Sequence, residues 1–79
     1  MSVANIIGFR VREAREKRGW DQVELAATLF VDFKIKLEQS DISEIERQVR
    51  GVKDYELNAI ALALDVDPVW LLRGGDFNA

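Results

Sequence analysis

The chain has 79 residues, enough for one small domain with a single hydrophobic core. It contains neither cysteine nor histidine, which excludes disulfides, thiolate catalysis, cysteine-based metal sites and the commonest general base. A net charge of -3 argues mildly against a nucleic-acid binder, because such proteins are usually basic overall or on one face.

The apolar residues recur every three or four positions, which predicts helices throughout the chain. No apolar run approaches the roughly 20 residues of a membrane span, and the first residues lack the features of a secretion signal. We therefore expect a cytoplasmic, all-α protein with no membrane contact. It should form one domain over residues 1–79, with its core at about 4–73 and a tail at 74–79.

The first helix is predicted to run from about Ala4 to Arg18. Ile7, Val11 and Ala14 lie on one stripe of it, and Gly19 can take the left-handed conformation that ends a helix. The basic residues around this stripe could face phosphates, but such a run is more often a solvated face with internal ion pairs. They are Arg10, Arg12, Arg15, Lys17 and Arg18.

A second helix should open at Asp21, because Asp21 and Glu24 have the spacing of a capping box. It is expected to end between Phe30 and Phe33. Its predicted apolar face consists of Val23, Leu25, Ala26, Leu29 and Phe30.

Residues 31–38 alternate between apolar and polar side chains, a period that suits extended chain. One such strand cannot form a sheet alone, so we predict an ordered loop. Its Phe33, Ile35 and Leu37 must either be buried or form an adhesive surface.

The third helix is predicted to start at Ser40 or Asp41, with Asp41 and Glu44 as a cap-like pair, and to end near 48–51. Ile42, Ile45 and Val49 are spaced three and four apart and should face the core. This segment is unusually acidic.

Two further helices complete the predicted bundle. Asp54 should cap the fourth, in which Leu57, Ile60, Ala61 and Leu64 form the buried stripe. Asp67 followed by Pro68 is a strong start signal for the fifth, which includes Trp70 as a core residue and stops at Gly74.

Four stretches in this order resemble the Cro/repressor type of helix-turn-helix domain, the XRE family. They are IIGFRVREAREKRGW, DQVELAATL, ISEIER and YELNAIALALDVDPVWLL, and together they place the resemblance at about residues 6–75. The resemblance implies a compact five-helix bundle, the lambda-repressor-like fold. It also implies a sequence-specific, repressor-like regulator of transcription, which binds operator DNA as a homodimer and reads the major groove with the helix starting near Ser40.

Matched position by position, the resemblance implies a set of DNA-binding residues. The long connection between the second and third helices adds two lysines near the expected DNA side. The set is Gln22, Lys34, Lys36, Gln39, Ser40, Ser43, Glu44, Arg47 and Arg50. It also implies a buried, structural ion pair between Arg15 and Glu46. No catalytic residue, metal site, cofactor or small-molecule substrate is expected, and we predict that the protein is not an enzyme.

Two features depart from the family pattern. The connection between Leu29 and Ile42 is longer than usual, and carboxylates at Glu38, Asp41 and Glu44 oppose attraction to phosphate. The alternative is a protein-interaction module on the same fold, with weakened or lost DNA binding. For the dimer, Leu72 and Phe77 are candidate contacts, although the apolar C-terminus could equally pack back on its own core.

Overall fold

The fold is a bundle of five short α-helices. The structure, a computed structural model, describes residues 2–75, so the predicted contact at Phe77 lies outside the described residues. The helices are α1 (Gly8–Lys17), α2 (Gln22–Phe33), α3 (Gln39–Glu46), α4 (Asp54–Leu64) and α5 (Pro68–Arg73). Residues 2–75 contain no strand, and the prediction of an all-α five-helix bundle is confirmed. None of the helices in this range has the length and apolar character needed to cross a membrane.

One hydrophobic core lies at the centre of the bundle. α2 packs against α3 and α4, α1 against the same two helices, and α5 against α4. Full burial of each aliphatic side chain is worth about 1.5–3 kcal/mol, so this shared core holds together helices too short to be stable alone. The largest fully buried side chains are Ile7, Val11, Leu25, Leu29, Ile42, Ile45, Ile60 and Leu71.

Two helix starts match their predicted caps. At α2 the Glu24 N–H donates to Asp21 Oδ1 and the Asp21 N–H donates to Glu24 Oε1, both at 2.8 Å, which makes a complete capping box. At α5, Asp67 Oδ1 accepts the Val69 N–H at 2.8 Å and Pro68 occupies the first helical position.

The predicted start of α1 at Ala4 is wrong, because the side chain of Asn5 caps the helix from outside. Asn5 Oδ1 accepts the N–H groups of Ile7 and Gly8 at 3.0 and 2.9 Å, so the helix begins only at Gly8. At the other end Gly19 has a φ of 74°, the left-handed conformation that was predicted to stop the helix.

The predicted caps of α3 and α4 were placed too late in the chain. Asp41 is the third residue of α3, and its Oδ2 accepts the Glu38 N–H at 2.8 Å, so Asp41 satisfies the residue before the helix. In α4, Glu56 accepts the Lys53 N–H at 2.9 Å, while Asp54 is already helical. In both helices a carboxylate in the first turn reaches back to an orphan N–H, which is one half of a capping box.

Three predicted core residues are in fact exposed. Val49 is 62% exposed, because α3 ends at Glu46 and Gln48 takes a φ of 64°, which turns the chain off the helical stripe. Val23 and Phe30 are 59% and 56% exposed, because α2 turns its other face, with Leu25, toward the core.

The long connection first extends α2 and then returns along it. α2 continues to Phe33, so residues 31–33 are helical and not the loop that was predicted. Its 12 residues span about 18 Å, and the non-helical residues 34–38, which begin with the left-handed Lys34, lead back to the start of α3 beside Gln22. Leu37 is buried and Ile35 is partly buried, whereas Lys34 and Lys36 are exposed. The predicted alternation therefore holds for residues 33–37 but not for Val31, which is 62% exposed on α2.

Candidate nucleic-acid interface

α3 presents a short polar strip on its outer side. Ile42 and Ile45 are fully buried on the inner side of this helix. The outer side carries Gln39 and Ser40, both exposed, followed by half-buried Ser43 and then Arg47 just after the helix. Arg47 Nε donates to Ser43 Oγ at 3.3 Å, which holds the guanidinium along the strip. We refer to residues 39, 40, 43 and 47 as the outer strip.

Two of the four carboxylates in residues 38–46, Asp41 and Glu46, are engaged with the protein itself. Asp41 accepts the Glu38 N–H and lies 3.8 Å from Arg50 Nε. Glu46 is buried, and Glu44 is half-buried where its charge helps to raise the pKa of Arg50. Among the four carboxylates of residues 38–46, only Glu38 is exposed. The sequence therefore overstates how much negative charge this helix presents to a ligand.

A network of polar side chains ties α3 to α1 and α2. Arg15 Nε and Nη2 donate to Glu46 at 2.7 and 3.0 Å, and this bonding raises the pKa of Arg15 above its ordinary value. Arg15 also donates to the Trp20 carbonyl at 2.7 Å. Gln22 Nε2 donates to Glu46 Oε1 at 3.0 Å, and Gln22 Oε1 accepts from Gln39 Nε2. The first residues of α2 and α3 are thereby held side by side.

Arg50 lies inside a structural ion cluster and does not join the outer strip. Its Nη1 and Nη2 each donate to a Glu56 oxygen at 3.1 Å. Asp41 Oδ1 lies 3.8 Å from Nε of the same guanidinium. These hydrogen bonds, which Arg50 donates to Glu56, raise the pKa of Arg50. Burial alone would raise the pKa of Glu56, but the bonds from Arg50 and the Lys53 N–H lower it below its ordinary value. The geometry therefore gives Arg50 a role in holding α3 to α4.

Of the two lysines in the long connection, Lys36 borders the outer strip, whereas Lys34 lies at the end of α2 opposite Gln22 and Gln39. Lys36 and Gln39 line the same hollow of about 390 Å³ beside α2, so Lys36 is a neighbour of the strip. Lys34 ends α2 in a left-handed conformation with a φ of 59°, and its Nζ donates to the Val31 carbonyl at 3.0 Å. Both lysines are exposed and form no ion pair within residues 2–75.

Sequence reasoning missed the clamp at the end of α3. Asn5 Nδ2 donates to the Ile45 carbonyl at 3.1 Å and to the Arg50 carbonyl at 2.8 Å. Gln48 Nε2 donates to the Asn5 carbonyl at 3.1 Å in return. These partners are 40 or more positions apart in the chain, so no local sequence pattern predicts their contacts.

Within the described range, no cluster of three or more acidic residues could hold a metal ion.

The sequence model for the family described as "Helix-turn-helix domain" matches residues 8–76, nearly the whole chain. The chain belongs to this family, in its Cro/repressor or XRE form. The expected resemblance is thus confirmed, while no curated protein sequence gives a match.

Several solved structures share this helix-turn-helix fold. The P22 c2 repressor, solved with a synthetic operator, is 27% identical with a TM-score of 0.74, over 89% of this chain and 97% of that one. The restriction-modification controller protein C.AhdI from Aeromonas hydrophila is 32% identical with a TM-score of 0.71, over 82% and 86%. A hypothetical transcription factor from Neisseria is 25% identical with a TM-score of 0.74, over 90% and 75%.

Proposed function

We propose that this protein is a sequence-specific, DNA-binding regulator of transcription that reads the major groove with α3. The observation that carries this proposal is that Asp41 and Glu46 are paired within the protein and Glu44 is half-buried, which leaves an outer strip of amide, hydroxyl and guanidinium groups. Two of the similar structures are a repressor bound to an operator and a restriction-modification controller. DNA binding fits the helix-turn-helix family to which the chain belongs. The solved structures similar to the chain are regulators rather than enzymes.

The outer strip offers the groups that base readout needs. A glutamine amide can bond adenine through two hydrogen bonds, and serine hydroxyls can donate to or accept from several base edges. Gln39 is exposed at the start of α3 and is braced by Gln22, so its amide is pre-positioned. Glu44, half-buried beside Arg50, is the weakest member of the predicted set for this role.

Positive charge at the border supplies the attraction to phosphate. Arg47 within the strip and Lys36 beside it are exposed, Gln22 stands at the first turn of α2, and Lys34 adds an exposed cation at the other end of α2. Each phosphate neutralised by a lysine or arginine steepens the fall of affinity with salt by roughly 0.9 in a log–log plot. Within residues 38–46, Glu38 is the one exposed carboxylate that opposes these contacts.

A homodimer is part of the proposal, because a two-fold operator requires two copies of α3. Ile6 and Leu72 line one hollow of about 170 Å³ and are 58% and 40% exposed. Phe9, at the start of α1, is 72% exposed. Such exposed apolar side chains suit burial against a second copy. Leu72→Glu should shift the dissociation constant of the dimer upward in sedimentation equilibrium, whereas Leu62→Glu should leave it unchanged.

A protein-interaction module remains the second candidate function. The outer face of α2 favours it, since Val23, Phe30 and Val31 are 59%, 56% and 62% exposed at helical spacing. Reversal of Glu38 and Glu44 to lysine separates the two candidates. A gain of DNA affinity together with loss of a protein partner would favour the interaction module.

Selection from a random duplex library tests the proposed function. Repeated capture by the full chain at low salt should enrich one motif with two-fold symmetry, and affinity for it should fall steeply between about 50 and 200 mM salt. The Gln39→Ala and Ser43→Ala variants should lose that preference while keeping the helical circular dichroism of the parent. Failure to enrich any motif would remove DNA readout as the function.

A further inference from the structure

An apolar hollow of about 470 Å³ lies between the end of α1 and the junction of α4 with α5. Its floor consists of Ala14, Leu64, Val66 and Trp70. Ala14 and Leu64 are buried, whereas Val66 and Trp70 are half-buried and so offer apolar surface to a ligand. None of its lining residues belongs to α2 or α3, and the hollow is therefore separate from the outer strip.

The rim of this hollow carries two cations and one carboxylate. Lys17 and Arg18 form no ion pair with any residue of the described range. Arg18 is held at the rim, since its guanidinium stands 4.5 Å from the centre of the Trp20 ring and its Nη1 donates weakly to the Leu64 carbonyl at 3.5 Å. The carboxylate, Asp67, is already bound to the Val69 N–H. The rim thus has a net positive charge above an apolar floor.

We infer that this hollow binds a small amphipathic carboxylate, with its apolar part on Leu64 and Trp70 and its carboxylate at Lys17 and Arg18. The volume lies within the roughly 300–1,000 Å³ of small-molecule sites, which typically combine apolar walls with a few polar groups. Bonds between an ionised carboxylate and a lysine or arginine are among the stronger ones in proteins. The inference is independent of DNA binding, and it puts a ligand site inside a single small domain.

Titration of the full chain with phenylacetate and with octanoate tests the inference, with neutral phenylacetamide as the matched probe. Amide NMR should show saturable shifts at residues 14, 17, 18, 64, 66 and 70 with at least one carboxylate. Phenylacetamide should bind about tenfold more weakly than phenylacetate, because it lacks the charge that the rim recognises.

Lys17→Gln and Arg18→Gln should each weaken carboxylate binding about tenfold. Both side chains are exposed, so the variants should keep the parent's amide spectrum elsewhere. Arg12→Gln, on the same helix but away from the hollow, should bind as the parent does. The inference is overturned if both carboxylates fail to saturate, if phenylacetamide binds equally well, or if the shifts map to other residues.

Discussion

Arg15 in α1 and Glu46 in α3 form a two-bond ion pair with only 10% and 4% of their side-chain surface exposed. Removal of one partner leaves an uncompensated charge inside the bundle. We expect Arg15→Ala to lower the free energy of unfolding by roughly 3–5 kcal/mol, as measured by urea denaturation. Arg12→Ala removes a pair that is 62% and 55% exposed and should cost no more than about 0.5 kcal/mol.

The double replacement Arg15→Met with Glu46→Leu distinguishes an unpaired charge from lost packing. It removes both charges and keeps apolar volume, so it should recover much of the stability that Arg15→Ala loses. If Arg15→Ala proved as mild as Arg12→Ala, the pair would not hold α1 to α3.

Gly8 marks the closest approach of α1 to α3. A Cβ at Gly8 would collide with the Ile45 carbonyl and would lie 2.9 Å from the Glu46 carbonyl, both of which are backbone atoms that cannot move aside. Gly8→Ala should therefore destabilise the protein by about 1–3 kcal/mol.

Gly75→Ala is the matched control, because a Cβ at Gly75 meets nothing within 4 Å. The thermal midpoint of this variant should stay close to that of the parent. Equal midpoints for the two alanine variants would contradict the close contact at Gly8.

Acid should weaken the cluster of Arg50 and Glu56. The folded-state pKa of Glu56 lies below its ordinary 4.5, so the unfolded chain binds more protons as the pH falls. The contribution of Glu56 is complete above about pH 4.5 and is lost as the pH falls through its lower folded-state pKa.

Glu56→Gln tests this linkage in urea titrations at about pH 7 and pH 3. The variant should be less stable than the parent at neutral pH, and its stability should fall less on acidification. A parallel fall for parent and variant would mean that Glu56 does not contribute to the acid sensitivity.

Local signals predicted the fold well, whereas tertiary contacts decided the details of the site. The cap at Asp21 and the Asp67-Pro68 start act within three residues and can be read from the sequence. Val49 was assigned to the core because its spacing continues the stripe of α3, yet the left-handed Gln48 breaks that stripe.

The charges of the site show the same limit. From sequence alone Arg50 is a phosphate contact, and Asp41 is either an obstacle to DNA or a cap that faces the protein. In space the two residues lie 3.8 Å apart beside Glu56. The two bonds donated by Asn5 Nδ2 gave no signal in the sequence, because their acceptors lie 40 and 45 positions away. A local residue pattern cannot predict the pairing of polar groups that lie far apart in the chain.

Salt dependence identifies which cations meet phosphate. Lys36→Gln and Arg47→Gln should each lower the slope of log affinity against log salt by about 1, measured by fluorescence anisotropy on the selected duplex. Arg12→Gln should leave the slope nearly unchanged, since Arg12 is paired with Glu16 in α1. An unchanged slope for both Lys36→Gln and Arg47→Gln would place the phosphate contacts elsewhere.

The central claim is that α3 pairs Asp41 and Glu46 within the protein and offers its outer strip to DNA. Amide NMR of the full chain, titrated with the selected duplex, measures this most directly. We predict the largest shifts at Gln22, Lys36 and the outer strip, with residues 64–70 little affected. Shifts confined to Val23, Phe30 and Val31 on the outer face of α2, or to α4 and α5, would contradict the claim.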